Sequence, residues 1–113
     1  MATLDRVRET GLLTIQVERE SDALILHASG ELDIASAEEF EGELTRAIRS
    51  SVSGVVLDLR GVTFIDSTGL RGLLAGADLS SKIGRELRIL RGSRAVQRAI
   101  ELSGLTGALP LVG

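Results

Sequence analysis

Hydrophobic and polar residues alternate near the start of the chain in a way that is typical of a β-hairpin. Apolar residues at every second position from 13 to 17 predict a half-exposed strand over residues 12–19. A Ser-Asp pair at positions 21 and 22 favours a turn. The apolar run of residues 23–28 then predicts a second, more buried strand that ends at Gly30.

The pattern changes to helical spacing after Ser36. Ser36 and Glu39 have the spacing of a capping box, in which the two side chains satisfy backbone N–H groups of the first turn. Apolar residues that recur every three or four positions predict a helix that ends near Ser50: Ala37, Phe40, Leu44, Ala47 and Ile48. A strand follows over residues 55–59. Gly61 is expected to interrupt the extended chain before residues 63–65, which lead into the next segment.

The second half of the chain continues the alternation of strands and helices. One apolar stripe predicts a helix that ends at Gly84: Leu70, Leu73, Leu74, Ala77 and Ile83. Residues 86–90 predict a strand, and Ser93 is expected to cap a third helix. Pro110 restricts the last extended segment to an edge of the sheet, because proline cannot donate to a neighbouring strand.

Strands and helices alternate from about residue 23 onward, which predicts right-handed crossovers between parallel strands. The N-terminal strand joins through a hairpin, so the sheet is expected to be mixed. The sequence therefore predicts a single α/β domain with a mixed, mostly parallel sheet of four to five strands.

Composition and charge exclude several classes of function. The formal net charge of −3 disfavours binding to a nucleic-acid backbone, and 2% aromatic residues offer few stacking surfaces for bases. The chain has no cysteine, which excludes disulfides, thiolate catalysis and cysteine metal sites. No apolar run approaches the length of about 18 to 20 residues that crosses a membrane. We expect a cytoplasmic protein with no cofactor, no metal, no nucleic-acid partner and no membrane partner.

The segment Asp66-Ser67-Thr68-Gly69 is the first candidate site, because it lies where a predicted strand gives way to a predicted helix. The first N–H groups of a helix lack partners, and the side chain of Asp66 or Ser67 can accept from them. The same helix end can hold a phosphate attached to Ser67. From these four residues alone a simple helix cap is the favoured interpretation, and any additional role must explain three polar residues in succession before a helix-weakening glycine.

Catalytic interpretations of this segment find little support. A nucleophile elbow requires glycine two residues before the serine, and Ile65 stands there. The only histidine, His27, lies in a predicted strand, where packing or surface exposure is the expected role. A hydrolase that uses Asp66 and Ser67 would lack a credible base. The spacing of Gly69, Gly72 and Gly76 favours close packing of one helix flank.

A second candidate site is the segment Gly30-Glu31-Leu32-Asp33, which also follows a predicted strand. One interpretation is a turn with two solvated acids. If the strands before Gly30 and Asp66 are neighbours, however, Asp33 and Ser67 lie on the same edge of the sheet.

Three segments, taken together in order and spacing, resemble the STAS domain family of bacterial anti-sigma factor antagonists. They are GELDIASAEEF from Gly30, VVLDLRGVTFIDSTGL from Val55 and RAVQRAIELSGL from Arg94. The similarity extends over residues 12–113, which leaves residues 1–11 as an N-terminal extension.

The resemblance implies helices mainly on one face of the sheet and a non-enzymatic function. It implies binding to an anti-sigma factor with serine-kinase activity, release of a sigma factor, and a switch that phosphorylation of Ser67 turns off and a serine phosphatase reverses. The implied partner-binding residues are Asp33, Asp66, Ser67, Thr68, Gly69, Leu70 and Arg71. An alternative is a STAS subunit that serves as a docking module in a lipid- or anion-transport complex.

Overall fold

A computed structural model describes all 113 residues, and they form one six-stranded sheet with three helices. The strands are β1 (Ala2–Thr10), β2 (Leu13–Glu20), β3 (Ala23–Leu32), β4 (Gly54–Ile65), β5 (Glu86–Leu90) and β6 (Leu111–Val112). The helices are α1 (Ala37–Arg49), α2 (Ser67–Ile83) and α3 (Arg94–Leu102). The spatial order of the strands follows the chain, antiparallel from β1 to β3 and parallel from β3 to β6. The predicted mixed α/β class is confirmed.

The sheet has one strand more than the four to five expected. The additional strand is β1, which pairs with β2 along most of its length and lies within the segment set apart as an N-terminal extension. Its side chains are mostly exposed, so no buried apolar face marks it in the sequence. The pairing of β1 therefore rests on backbone hydrogen bonds and on contacts with α1.

The helices cover one face of the sheet, and the core lies between them. Leu26, Leu57 and Ile89 are fully buried on β3, β4 and β5, respectively. Five of the helical side chains that meet this face are also fully buried: Phe40, Leu44, Leu73, Val96 and Ile100. Alternate residues of the same strands point to the opposite face, which no helix covers.

The interruption expected at Gly61 is wrong, because β4 continues without a break to Ile65. Its pairing with β3 changes register instead, the first time between His27 and Ser29. A Cβ atom at Gly61 would lie only 2.8 Å from the Cβ atom of Ser29. The glycine thus lets the two strands remain close where their register changes.

The capping box expected at Ser36 and Glu39 is also wrong. Ser36 stands just before α1, but its hydroxyl donates to the carbonyl of Glu31 at 3.0 Å and makes no cap to the first turn. Glu39 instead forms an ion pair with Arg8 of β1. Contacts with other parts of the chain therefore occupy both side chains.

Other predicted helix boundaries are confirmed. The hydroxyl of Ser93 accepts from the backbone N–H of Val96 at 3.3 Å and caps α3. Gly84 ends α2 with a φ of 71°, in the left-handed region that favours glycine. The segment after Pro110 is the edge strand β6. Ile83, by contrast, is 45% exposed and does not belong to the buried stripe of α2.

Glycines on α2 allow the helix to approach its neighbours closely, as their spacing predicts. A Cβ atom at Gly76 would lie 2.4 Å from Leu44 of α1. Among the glycines of α2, Gly69 makes the closest approach to backbone: a Cβ atom there would lie 2.8 Å from the carbonyl oxygen of Leu32, and also 2.8 Å from the side chain of Ile65. A backbone oxygen cannot rotate away, so Gly69 fixes the distance between α2 and the end of β3.

Replacing Gly69 by alanine should therefore lower the free energy of unfolding by about 1 to 3 kcal/mol, since the added methyl group overpacks a site closed by backbone. Gly42 is the matched control, because it lies in α1 with no atom within 4 Å of an added Cβ. Gly42→Ala should leave stability unchanged or raise it by up to about 1 kcal/mol. Urea unfolding of both variants tests this, and equal stabilities would contradict it.

Candidate functional site

The two candidate segments meet at the carboxyl ends of β3 and β4. These strands are parallel neighbours, and their last paired residues are Leu32 and Ile65. Beyond that pair, the backbone N–H of Asp66 donates to the carbonyl of Leu32 at 3.2 Å. The expected adjacency of the two strands is confirmed. We call this surface the rim, defined as residues 33–36 before α1 and residues 66–71 at the start of α2.

Asp66 is the N-cap of α2. Its Oδ1 atom accepts from the backbone N–H groups of Thr68 at 3.0 Å and Gly69 at 3.2 Å, and from the hydroxyl of Thr68 at 2.5 Å. The Thr68 hydroxyl lowers the pKa of Asp66 most, and the N–H groups of Gly69, Thr68 and Ile34 lower it further against the opposing effect of burial. The cap is therefore an ionised carboxylate that joins α2 to the β3–α1 loop.

Ser67 and Thr68 have different surroundings although they are adjacent. Ser67 is the first residue of α2 and is exposed, and its side chain makes no hydrogen bond within the chain. Thr68 is only partly exposed, and its hydroxyl is bound to Asp66. Of the two hydroxyls, that of Ser67 is the one accessible to another molecule.

Asp33 shapes the other half of the rim. Its Oδ1 atom accepts from the backbone N–H of Ala35 at 3.0 Å, as in an Asx turn. The backbone N–H of Asp33 donates to the buried hydroxyl of Ser36 at 3.1 Å. Asp33 therefore holds the β3–α1 loop in place while its side chain remains partly exposed.

The remaining residues of the predicted partner-binding set divide between core and surface. Gly69 and Leu70 are buried, and Leu70 belongs to the hydrophobic core with 8% exposure. Arg71 is exposed on the next turn of α2, four residues after Ser67. The accessible charges and hydroxyls of the set are thus those of Asp33, Asp66, Ser67 and Arg71.

Three exposed apolar residues in or next to the rim were missed by the sequence analysis. Ile34 is 79% exposed, and Phe64 is 47% exposed next to the end of β4. Leu12 is 65% exposed, and its carbonyl accepts from the N–H of Glu31 at 2.9 Å. Ile34 stands between Leu32 and the alanines at positions 35 and 37, so no hydrophobic pattern in the sequence marks it as exposed. Apolar area beside charged groups is typical of protein–protein interfaces.

The rim is an open surface without a pocket. The molecule has one cavity, of about 110 Å³, between the strands β1 to β3 and the second half of α1, and no rim residue lines it. No group of three or more His, Cys, Asp or Glu side chains could hold a metal ion. No helix is long and apolar enough to span a membrane. Small ligands favour concave sites, so the geometry of the rim fits a macromolecular partner.

The fold and the rim define a small α/β domain with an exposed hydroxyl at a helix N-terminus. The chain belongs to the STAS domain family, whose model matches residues 14–112. This finding agrees with the resemblance carried by the three segments that begin at Gly30, Val55 and Arg94.

Individual relatives point to one group within the family. The chain is 31% identical over 100 residues to the anti-sigma F factor antagonist of Paenibacillus polymyxa, covering 88% of this chain and 86% of that protein. The crystal structure of an anti-sigma factor antagonist from Mycobacterium paratuberculosis matches with a TM-score of 0.79 and 29% identity, covering 88% and 84% of the two chains. The phosphorylated form of the Bacillus cell fate determinant SpoIIAA shares the fold, with a TM-score of 0.66, 20% identity and coverage of 88% and 91%.

Loss of the Asp66 cap should destabilise the chain in a pH-dependent way. Asp66→Ala should lower the free energy of unfolding by about 1 kcal/mol at neutral pH, and Asp66→Asn, which keeps an acceptor oxygen, should lower it less. Because folding lowers the pKa of Asp66, its contribution is present above the ordinary carboxyl pKa and is lost as the pH falls. Urea unfolding over a pH series measures this. A wild-type-to-alanine difference that stays constant below about pH 4 would contradict the assignment.

Proposed function

We propose that this protein is an anti-sigma factor antagonist. It binds an anti-sigma factor with serine-kinase activity through the rim, and this binding releases a sigma factor. Phosphorylation of Ser67 by the bound kinase switches the protein off, and a serine phosphatase restores it. The chain itself acts as a binding protein, and the ATP belongs to the partner. Its similarity to relatives with this name supports the general function.

The position of Ser67 is the observation that carries the phosphorylation proposal. Its hydroxyl is exposed and unbound at the first position of α2, whereas the neighbouring hydroxyl of Thr68 is engaged by Asp66. A kinase needs an accessible hydroxyl, and a helix N-terminus favours the negative charge that the reaction adds. The capped helix end thus accommodates a phosphate without any need to refold.

The phosphate would change the charge of the rim much more than its shape. It adds about −1.5 to −2 charges beside the ionised carboxylate of Asp66, with Asp33 on the adjacent loop. Arg71 is four residues further along α2, at the spacing where helical side chains meet, and is the cation of the rim within reach of the phosphate. A partner that docks on the rim must then desolvate a dianion next to carboxylates.

Phosphorylated protein should bind the cognate anti-sigma factor about 10² to 10³ times more weakly, equivalent to about 3 to 4 kcal/mol. Incubation with that kinase and ATP, followed by peptide mass spectrometry, locates the phosphate, and calorimetry compares the two forms. Ser67→Ala should abolish the modification and retain binding. Ser67→Asp should weaken binding in the same direction as phosphate.

Thr68→Ser is the control for the site of modification, since it keeps a hydroxyl that can bind Asp66. It should be phosphorylated at Ser67 like the wild type. A phosphate at position 68, or at no position, would contradict the site assignment. An unchanged affinity after phosphorylation at Ser67 would leave the site intact and contradict the electrostatic mechanism.

The exposed apolar residues in and next to the rim should contribute to the same complex. Ile34→Ala and Phe64→Ala each remove exposed apolar area in or next to the rim and should weaken binding of the unphosphorylated protein by about tenfold or more, as truncation of interface anchors does. Ile83→Ala is the matched control, because Ile83 is 45% exposed at the far end of α2. Calorimetry with the anti-sigma factor tests all three variants. Equal losses for Ile34→Ala and Ile83→Ala would argue against docking at the rim.

A pull-down from native lysate, with and without phosphatase treatment, separates this function from its alternative. Capture of an anti-sigma factor that increases after phosphatase treatment supports the proposal. Capture of a permease or a transport ATPase, independent of phosphatase, would instead identify a docking subunit of a transport complex.

A further inference from the structure

A group of charged side chains crosses three strands on the face of the sheet that no helix covers. His27 of β3 lies at its centre. Its Nδ1 atom is 2.8 Å from Oδ2 of Asp58 on β4, and its Nε2 atom is 2.5 Å from Oε1 of Glu18 on β2. Arg60 completes the group, with its Nε and Nη2 atoms donating to the two carboxylate oxygens of Asp58 at 2.9 Å and 3.0 Å.

The arrangement sets a requirement for protons on the imidazole ring. Carboxylates only accept hydrogen bonds when ionised, so each ring nitrogen of His27 must carry a hydrogen to satisfy the oxygen it faces. The charged imidazolium has both hydrogens. The neutral ring has one, and its other nitrogen then directs a lone pair at a carboxylate. The two carboxylates lie at opposite nitrogens, and the group is not one that could hold a metal ion.

The two arms of the group are not equivalent. Asp58 is 6% exposed, and Arg60 above all holds the pKa of Asp58 well below its usual range, with a further contribution from His27. Asp58 therefore remains ionised and bound to Arg60 whatever the state of the ring. Glu18 has no other partner in the structure, so its link to the sheet centre depends on the proton of His27.

No other charged group on the neighbouring strands occupies the position of either partner. Arg88 of β5 lies on the same face opposite Val56 and is paired with Glu86 at 3.5 Å. β1 places Leu4 opposite Glu18 and so adds no charge there. Glu20, two residues after Glu18, is exposed and makes no contact with His27. Glu18 and Asp58 are thus the only charged side chains paired with the ring of His27.

We propose that protonated His27 is a pH-sensitive clasp that ties β2 to β4 across β3 on the uncovered face. When the ring loses its second proton as the pH rises, the clasp opens on the side of Glu18, and the N-terminal hairpin is held less firmly to the parallel strands. Only the charged ring can donate to both carboxylates, so only that form completes the clasp. Its contribution to stability is therefore complete at mildly acidic pH and is lost as the pH rises.

The thermal stability of the full chain, measured between about pH 5.5 and 8, tests the clasp in the range where histidine changes charge. The melting temperature of the wild type should fall by about 3 to 6 °C more than that of His27→Gln over this interval. Glu18→Gln should lose most of the same pH dependence. Glu20→Gln is the matched control on the same strand and should keep the wild-type dependence.

Two spectroscopic measurements keep the test decisive if a variant folds poorly. The ring nitrogens of wild-type His27 should give the ¹⁵N shifts of an imidazolium at about pH 5.5. Hydrogen exchange of the β2 amides, corrected for intrinsic rate, should become faster with rising pH in the wild type but not in Glu18→Gln. A neutral His27 ring at about pH 5.5 would overturn the proposal. The same pH dependence of the melting temperature in the wild type, His27→Gln and Glu18→Gln would also overturn it.

Discussion

The approach of the first turn of α2 to the end of β3 is the contact on which the rest of the rim depends. Gly69 lets the helix backbone lie against the carbonyl of Leu32, where any side chain would collide. Asp66 adds a backbone hydrogen bond to the same carbonyl and turns its carboxylate back into the helix. With the helix fixed in this way, Ser67 is the residue that points outward, and a helix N-terminus is presented beside the β3–α1 loop.

Much of this arrangement could be predicted because it is encoded by short-range patterns. Apolar alternation identifies β2, and apolar runs next to helical stripes identify β3, β4 and their crossovers. Once parallel crossovers are inferred, the polar segments that follow β3 and β4 must reach the same edge of the sheet. The cap at Asp66 was one of two possibilities, since aspartate and serine are both good caps and only the geometry distinguishes them.

What could not be predicted depends on contacts between distant segments. β1 has hardly any buried side chain, so its place in the sheet comes from backbone pairing and from ion pairs with α1. Ser36 and Glu39 have the local pattern of a capping box, but the end of β3 and the strand β1 supply competing partners. The exposure of Phe64 follows from the register of β4 against β3, which a strand's own sequence does not specify.

The structure of the rim also explains why a switch based on charge suits this fold better than one based on refolding. Asp66 receives several hydrogen bonds, which keep its carboxylate ionised and in place. A phosphate on Ser67 would therefore be added beside a negative charge that can neither move away nor take up a proton near neutral pH. Because α2 is anchored through Gly69, the backbone also has little freedom to relieve the repulsion. The proposed effect of phosphorylation is thus passed to the partner that must cover these charges, while the core beneath stays unchanged.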